Sequence, residues 1–457
     1  MLHDKRITRR GFLGGALTVG GGLAALGGLG PLQRLAHAQA QNPDAPDRYY
    51  VFCYFGGGWD VLLSLDPRDP RDFPSDDESL ARTHIQPAYD QLQRPDADIV
   101  RVSEDLAFGP FMGDLLRHTD KLAVVRGINM ETLAHEGGRR RFLTGKPPSG
   151  VQARGSSAST WLAGHLGRDA LIPNLSLRLE SYNKDMPNYA TALRVNSIPD
   201  LLRALRPSDP ILPERLRAQI GLSLSDAAAC PPAKRSPSWQ VAEFARVKGR
   251  DMVAGDVGGL FDFGARTPEM DALRDRYGFA RVDNSPAVSA AFAAQAITGG
   301  ISRCVSVALT GGLDTHDQNW ANAQGPNQER GFNAIARLVD DLSSRDYGDG
   351  SSWLDHTVIV GFSEFSRTPM LNPRGGRDHH LTNSALVLGG NIRGGQVIGA
   401  SSDVAMQSVA VDLHTGRPSP EGEIIKPEHI LRTLFDEVGI DQTPDLRVTG
   451  IPALMRA

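Results

Sequence analysis

The chain has 457 residues, of which 40% are hydrophobic and 22% charged, and its formal net charge is −4 at pH 7. That length buries one large core or two ordinary ones, and the composition is that of a globular protein. A mildly acidic chain without a basic stripe interleaved with aromatics is not a general nucleic-acid binder.

In chain order, the first segment is expected to be an export signal rather than part of the fold. Paired Arg9 and Arg10 precede Phe12 and Leu13, a glycine-rich apolar stretch follows, and small residues stand at Ala36 and Ala38. This order predicts a twin-arginine signal over residues 1–38, cleaved near Ala38, and a periplasmic or extracellular location. The nine glycines in residues 11–30 would make a poor spanning helix, so no stable membrane span is expected after cleavage. The segment carries five Lys/Arg and one Asp, so its removal takes the formal charge from −4 to −8.

Residues 39–457 read as one α/β domain. It opens on the strand "DRYYVFCYF", which runs into "GGGWD". Further apolar runs at 122–126, 175–179, 301–309, 356–362 and 383–390 lack the alternation of a half-exposed sheet, which suits strands covered on both faces. "SPAVSAAFAAQAITGG" has a Ser-Pro start and a glycine stop. "NQERGFNAIARLVDDLSSR" sets Phe332, Ile335, Leu338, Val339 and Leu342 on one helical face. Alternating strands and helices predict a doubly wound, mostly parallel sheet with helices on both faces. Residues 199–285, rich in Pro, Arg and Asp and without a clear strand, read as a helical insertion. Cys53 and Cys304 fall in core strands and Cys230 in a loop, a pattern of inert thiols rather than of a disulfide framework.

In an open α/β sheet, ligands sit beyond the carboxyl ends of the strands. Three strands here end in chemistry: Gly56-Gly57-Gly58-Trp59-Asp60, Gly311-Gly312-Leu313-Asp314-Thr315-His316, and Ser363-Glu364 with Arg367. The following loop adds Arg377, Asp378, His379 and His380. Asp314 and His316 share one side if that segment is extended. Carboxylates gathered at one rim repel unless a cation compensates them. Mixed Asp/Glu/His donors without thiolates suit zinc, manganese or iron.

The combination "FGGGWD", "TGGLDTH", "FSEFSRTPMLNPRGGRDHH" and "LVLGGNIRGGQVIG" resembles the uncharacterised-domain family numbered 1501, over about residues 48–445. The resemblance implies an exported protein of the alkaline phosphatase–sulfatase superfamily, with an alkaline-phosphatase-like fold. It also implies hydrolysis or transfer of phosphate or sulfate esters at one or two divalent ions, zinc or manganese. By position it implies Asp60, Asp314, His316, Glu364, Asp378 and His379 as metal ligands. It places His135 where the superfamily has its Ser, Thr or modified Cys nucleophile, nine residues before Thr144-Gly145. His135 is then an added ligand, itself the nucleophile, or a general acid/base beside an attacking water. Thr132 is a weaker nucleophile candidate and reads better as a helix cap. Arg139, four residues after His135, matches the sulfatase anion-binding arginine. Three consecutive arginines on a helix cannot share one pocket, so of Arg126, Arg139, Arg140, Arg141, Arg367 and Arg377, Arg139 and Arg367 are expected to hold the substrate anion. The partner is then a small anionic ester, or another secreted protein if the chain is a non-catalytic binder that keeps the fold.

Overall fold

The run Tyr49–Phe55 (β1) is buried along its whole length, and its alternate side chains enter two different cores. Val51, Cys53 and Phe55 face one, and Tyr50, Phe52 and Tyr54 the other. This is the period of two expected of a strand with both faces covered, and each such side chain contributes about 1.5–3 kcal/mol on burial. The computed structural model describes residues 46–150, 152–205, 213–231, 235–440 and 445–456. The export signal read at residues 1–38 lies outside them. Among the described residues no helix is long and apolar enough to cross a membrane.

The remaining strands of the main sheet are β2 (Leu122–Asn129), β3 (Asn174–Leu177), β4 (Leu193–Val195), β5 (Cys304–Thr310), β6 (Thr357–Phe362), β7 (Thr382–Gly389) and β8 (Gln396–Ile398). Their spatial order is β8-β2-β7-β6-β1-β5-β3-β4. Every pairing is parallel except those of β7, which runs against both β6 and β2. The fold is therefore mixed α/β around a large, mostly parallel sheet.

Helices cover both faces. Helices α3 (Pro286–Thr298) and α4 (Trp320–Ser344) supply Phe292, Ile297, Phe332, Ile335 and Leu338 to the first core. Helices α1 (His135–Thr144), α2 (Ala158–Leu166) and α5 (Pro427–Glu437) supply Phe142, Leu162 and Leu434 to the second. Ser285 caps α3, accepting from the Val288 N–H, and Gly299 follows its last turn. Between β4 and β5 the chain forms helices at Ile198–Leu205, Glu214–Ala229, Pro237–Ala254 and Pro268–Tyr277. Cys53 and Cys304 are buried and unpaired, and Cys230 is exposed. Burial pushes the Cys53 thiol up to about 12, which keeps it inert.

The sheet order determines what meets at its rim. β6, β1 and β5 are adjacent, parallel and nearly flush, with Tyr54 opposite Phe362 and Phe55 opposite Thr310. Their carboxyl ends therefore emerge side by side. Because β7 is reversed, its first residue, Thr382, lies opposite Asn129 at the end of β2. The segment entering β7 and the segment leaving β2 thus arrive at that same rim. Ser366–Arg367 pairs antiparallel with His379–His380, so residues 366–380 fold back as a hairpin above the strand ends.

Candidate metal centre

Asp314 and His316 leave β5 on the same side, as their spacing predicts, with Asp314 Oδ1 3.1 Å from His316 Nε2. The reversed strand delivers His379, whose Nε2 lies 3.0 Å from His316 Nε2 and 3.5 Å from Asp314 Oδ1. The segment leaving β2 delivers His135 at the start of α1, with Nε2 3.4 Å from the same oxygen. Three imidazoles and one carboxylate therefore meet in one place.

Each ring is fixed from behind. His135 Nδ1 is 2.7 Å from Glu364 Oε1, His316 Nδ1 is 2.7 Å from Asp378 Oδ1, and His379 Nδ1 is 2.7 Å from the Leu133 carbonyl oxygen. Ionised carboxylates and a carbonyl offer no hydrogen, so each Nδ1 carries one and donates it. In the neutral rings the lone pair then sits on Nε2, facing Asp314. Lone pairs 3.0–3.5 Å apart repel unless a proton or a cation stands among them, and Arg367 supplies one only at His316 Nε2 and Asp314 Oδ1. A tetrahedral ion with arms of about 2.0–2.1 Å spaces its donors about 3.3–3.4 Å apart. The separations here bracket that value, and His135, Asp314 and His379 each offer one donor atom within 4.8 Å of the others. Three imidazoles and one carboxylate suit zinc, manganese or iron. His135, Asp314 and His379 fit one such ion, while His316 Nε2 also faces Arg367 Nη1 at 3.3 Å.

The electrostatics follow from these contacts. The hydrogen bond to Glu364 raises the His135 pKa. Burial pushes the Asp314 carboxyl up, but the bond from Arg367 and its charge outweigh this and hold it at about 2. Glu364 is opposed by burial in the same way, and its bond with His135 brings it below the usual range. The hydrogen bond from His316 lowers Asp378, and desolvation lowers His379. Asp314, with its side chain 52% exposed, opens the cluster to solvent.

Glu364 and Asp378 are thus held against the far sides of His135 and His316, as carboxylates commonly stand behind metal-bound imidazoles. Glu364 also accepts from Gly57 N at 2.9 Å and from Ser363 Oγ at 2.8 Å. Two glycines make the close approach feasible. Gly57 adopts φ +114°, and a Cβ there would stand 2.6 Å from Asp314 N; a Cβ on Gly138 would stand 2.1 Å from the Glu364 carbonyl oxygen.

Asp60 lies apart from the cluster, fully buried. Its Oδ1 caps the short helix Val61–Leu63 by accepting from Leu62 N, and its Oδ2 accepts from Trp320 Nε1 at 2.8 Å. Arg377 Nε is 2.9 Å from that oxygen, off the hydrogen-bond direction, so the pair is held by charge. His380 alternates to the other side of its strand, where Nδ1 faces Thr382. Thr132 Oγ1 accepts from Ala134 N, one residue before α1 begins.

The arginines are largely committed. Arg139 holds Glu180 with both Nε and Nη2, at 2.8 and 3.3 Å. Arg367 directs Nε to the Gly58 carbonyl and Nη1 to the Arg377 carbonyl and His316 Nε2. Its Nη2 reaches the Gly57 carbonyl and Asp314 Oδ1, the latter at 2.6 Å. All five N–H groups are used, so Arg367 ties three loops together and neutralises Asp314. Arg377 donates to the carbonyls of Thr368, Gln86 and Pro87, Arg126 to those of Leu65 and Ala107, and Arg141 to Glu131 and Glu428. Arg140 Nε donates to the Tyr182 hydroxyl at 3.0 Å.

Sequence reasoning passed over Asn372, whose amide donates to the His316 carbonyl at 3.0 Å and to Asp378 Oδ1 at 3.1 Å. Its position ahead of Pro373 and a Gly-Gly pair was the available signal. It also passed over Phe365, whose ring packs on His135 and His379 at centroid distances of 4.8 and 4.3 Å.

The sequence pattern of a family described as "Protein of unknown function (DUF1501)" matches residues 49–417. No curated protein matches the chain. Among solved structures, the chain is similar to Ps i-CgsB, seen in complex with k-i-k-neocarrahexaose. Identity is 8%, the TM-score 0.38, and the match covers 89% of this chain and 75% of that one. It is also similar to the PsFucS1 sulfatase from Pseudoalteromonas sp., at 11% identity and TM-score 0.35, covering 93% and 76%. A third is the phosphonate monoester hydrolase SpPMH from Silicibacter pomeroyi, at 10% identity and TM-score 0.29, covering 90% and 78%. At scores this low nothing of their chemistry is carried to this chain.

Proposed function

We propose, on the premise that this chain belongs to the DUF1501 family, that it is an exported metal-dependent hydrolase whose His135, Asp314, His316 and His379 hold one divalent cation. The observation that carries the proposal is the meeting of three imidazole Nε2 atoms, each with its Nδ1 hydrogen already committed, around one oxygen of Asp314. When bound, zinc or manganese supplies a Lewis acid and makes water a nucleophile at neutral pH. Glu364 and Asp378 hold their rings in the ligating orientation and raise the basicity of Nε2. Arg367 steadies Asp314 and the loops around it. His135, with one nitrogen on Glu364 and the other turned to Asp314, is assigned as a ligand rather than as the attacking group, which leaves attack to water. The substrate class, small phosphate or sulfate esters, follows from the family resemblance.

A second reading, a non-catalytic exported protein that binds the ion or a secreted partner, has its own support. The two arginines expected to clamp a substrate anion, Arg139 and Arg367, are spent on Glu180 and on chain carbonyls and Asp314. One experiment separates the two. The mature protein is purified from the periplasm, its metal is quantified, and a panel of phosphate and sulfate esters is assayed with and without chelator. One ion per chain with chelator-sensitive turnover, both lost in His135→Ala, is the expected result. Bound metal without turnover favours the binding protein, and a chain that takes up no metal refutes the proposal.

A further inference from the structure

We infer that the cavity between the start of α3 and the middle of α4 is a second, separate anion-binding site, formed by Arg281, Arg330 and Arg337 and suited to a phosphate or sulfate group. The cavity measures about 420 Å³, and Ser285 and Asn333 line it beside the three arginines. Among the described lining residues Asp283 is the one carboxylate, so three positive charges face one negative charge in a chain whose formal net charge is −4. The cavity lies against the helices that cover the first core, on the sheet face opposite α1, and shares no residue with the metal centre. It is independent of that centre and of any substrate bound there.

The arginines are held at the cavity without being spent. Arg337 Nη1 donates to the Tyr277 carbonyl, and its guanidinium lies on Gly278, which ends the helix Pro268–Tyr277 at φ +68°. A Cβ on Gly278 would stand 2.6 Å from Arg337 Nη1, so the bare backbone makes room for the charged group. Arg330 Nη2 donates to Asn327 Oδ1, and the Asn327 amide is fastened to the Gly312 carbonyl at 2.9 Å. Arg281 makes no hydrogen bond, and none of the three arginines is in an ion pair, among the described residues. Most of their N–H donors are left for a ligand. The neutral groups add to them. Asn333 Oδ1 accepts from Asp114 N at 2.6 Å, which leaves its amide nitrogen as a spare donor. Ser285 Oγ accepts from Val288 N at 3.4 Å, and its own hydrogen has no acceptor among the described residues. Asp283 already accepts from Ser285 N at 2.9 Å. Three cations gathered on one cavity repel unless an anion compensates them, and a recess of one sign concentrates counter-ions. Planar forks with unused N–H pairs match the paired oxygens of a tetrahedral oxyanion.

Isothermal titration calorimetry with inorganic phosphate, and separately with heparin as a sulfated polymer, tests this on the full zinc-loaded chain and on His135→Ala. The second chain tells anion taken up at the metal from anion taken up in the cavity. Saturable binding is expected in both chains, weakened about tenfold or more by Arg281→Gln and by Arg330→Gln. Phosphate binding assigns a free oxyanion, and heparin binding alone assigns the group to a polymer. Both substitutions change exposed side chains that carry no ion pair among the described residues, so the thermal midpoint and the zinc content stay at their wild-type values. Arg447→Gln removes an exposed arginine that pairs with Asp445 and does not line the cavity, and it leaves binding unchanged. Wild-type affinity in both cavity variants overturns the inference. So does loss of all binding in folded His135→Ala, or a wild-type chain that binds neither probe.

Discussion

Glu364→Gln isolates the charge behind His135 from the shape that carries it. Glu364 Oε1 accepts from His135 Nδ1 at 2.7 Å and from Gly57 N at 2.9 Å, and Oε2 accepts from Ser363 Oγ at 2.8 Å. A glutamine placed with its carbonyl at Oε1 keeps the first two bonds. Its amide nitrogen then faces Ser363 Oγ, which accepts that hydrogen while giving its own to the Phe55 carbonyl at 2.6 Å. The volume is unchanged, but the second amide hydrogen gains no acceptor at this buried position, so stability should fall by about 1–3 kcal/mol. What is lost is the carboxylate charge that strengthens the His135 bond and raises the basicity of its Nε2. A charge-assisted hydrogen bond is worth about 1 kcal/mol more than a neutral one, which corresponds to a roughly fivefold weaker ion, just below the usual range for outer-shell changes. Zinc affinity by competition with a chelating dye, read beside the thermal midpoint, checks this. An unchanged zinc affinity in a folded variant would refute the assignment of His135 as a ligand held by Glu364.

Three more outcomes follow from the same geometry. Gly138→Ala forces α1 and the β6 end apart, because the new Cβ would lie 2.1 Å from the Glu364 carbonyl oxygen; a loss of about 1–3 kcal/mol in denaturant unfolding is expected, with weaker zinc binding. Asp60→Asn leaves Arg377 buried without its counter-charge and should cost about 3–5 kcal/mol, while zinc stoichiometry measured on the folded variant stays at the wild-type value. The raised pKa of His135, set by Glu364, means that a proton must leave as the ion enters. In the ion-free chain the His135–Glu364 pair contributes stability that is full below the unfolded imidazole value, roughly 6.5, and is lost as pH rises through the raised folded value. Zinc affinity runs the other way and increases with pH through that window; calorimetry at about pH 6 and about pH 8, in buffers of different ionisation enthalpy, checks both the slope and the proton release, and a pH-independent affinity contradicts it.

Much of the sheet was legible because its strands are unbroken apolar runs between glycine turns, as in Tyr49–Phe55 and Thr357–Phe362. Direction was not. Thr382–Gly389 is buried on both faces like its parallel neighbours, so nothing in its composition marks it as the reversed strand, although that reversal is what carries His379 to the rim. The pairing of Asp314 with His316 was legible from a spacing of two. The environment of Asp60 was not, since Trp320 and Arg377 reach it from distant segments and enclose it. For the same reason the sequence favoured Arg139 and Arg367. Which arginines are spent depends on where Glu180 and the carbonyls of Gly57 and Gly58 lie, and a linear reading cannot place them.

The most direct measurement is anomalous diffraction from crystals of the chain grown with zinc. One strong peak is predicted, about 2.0–2.1 Å from Nε2 of His135, His316 and His379 and from a carboxylate oxygen of Asp314. Full-occupancy zinc elsewhere, on Asp60 or Glu364, or imidazoles that meet around no peak at all, would contradict the account.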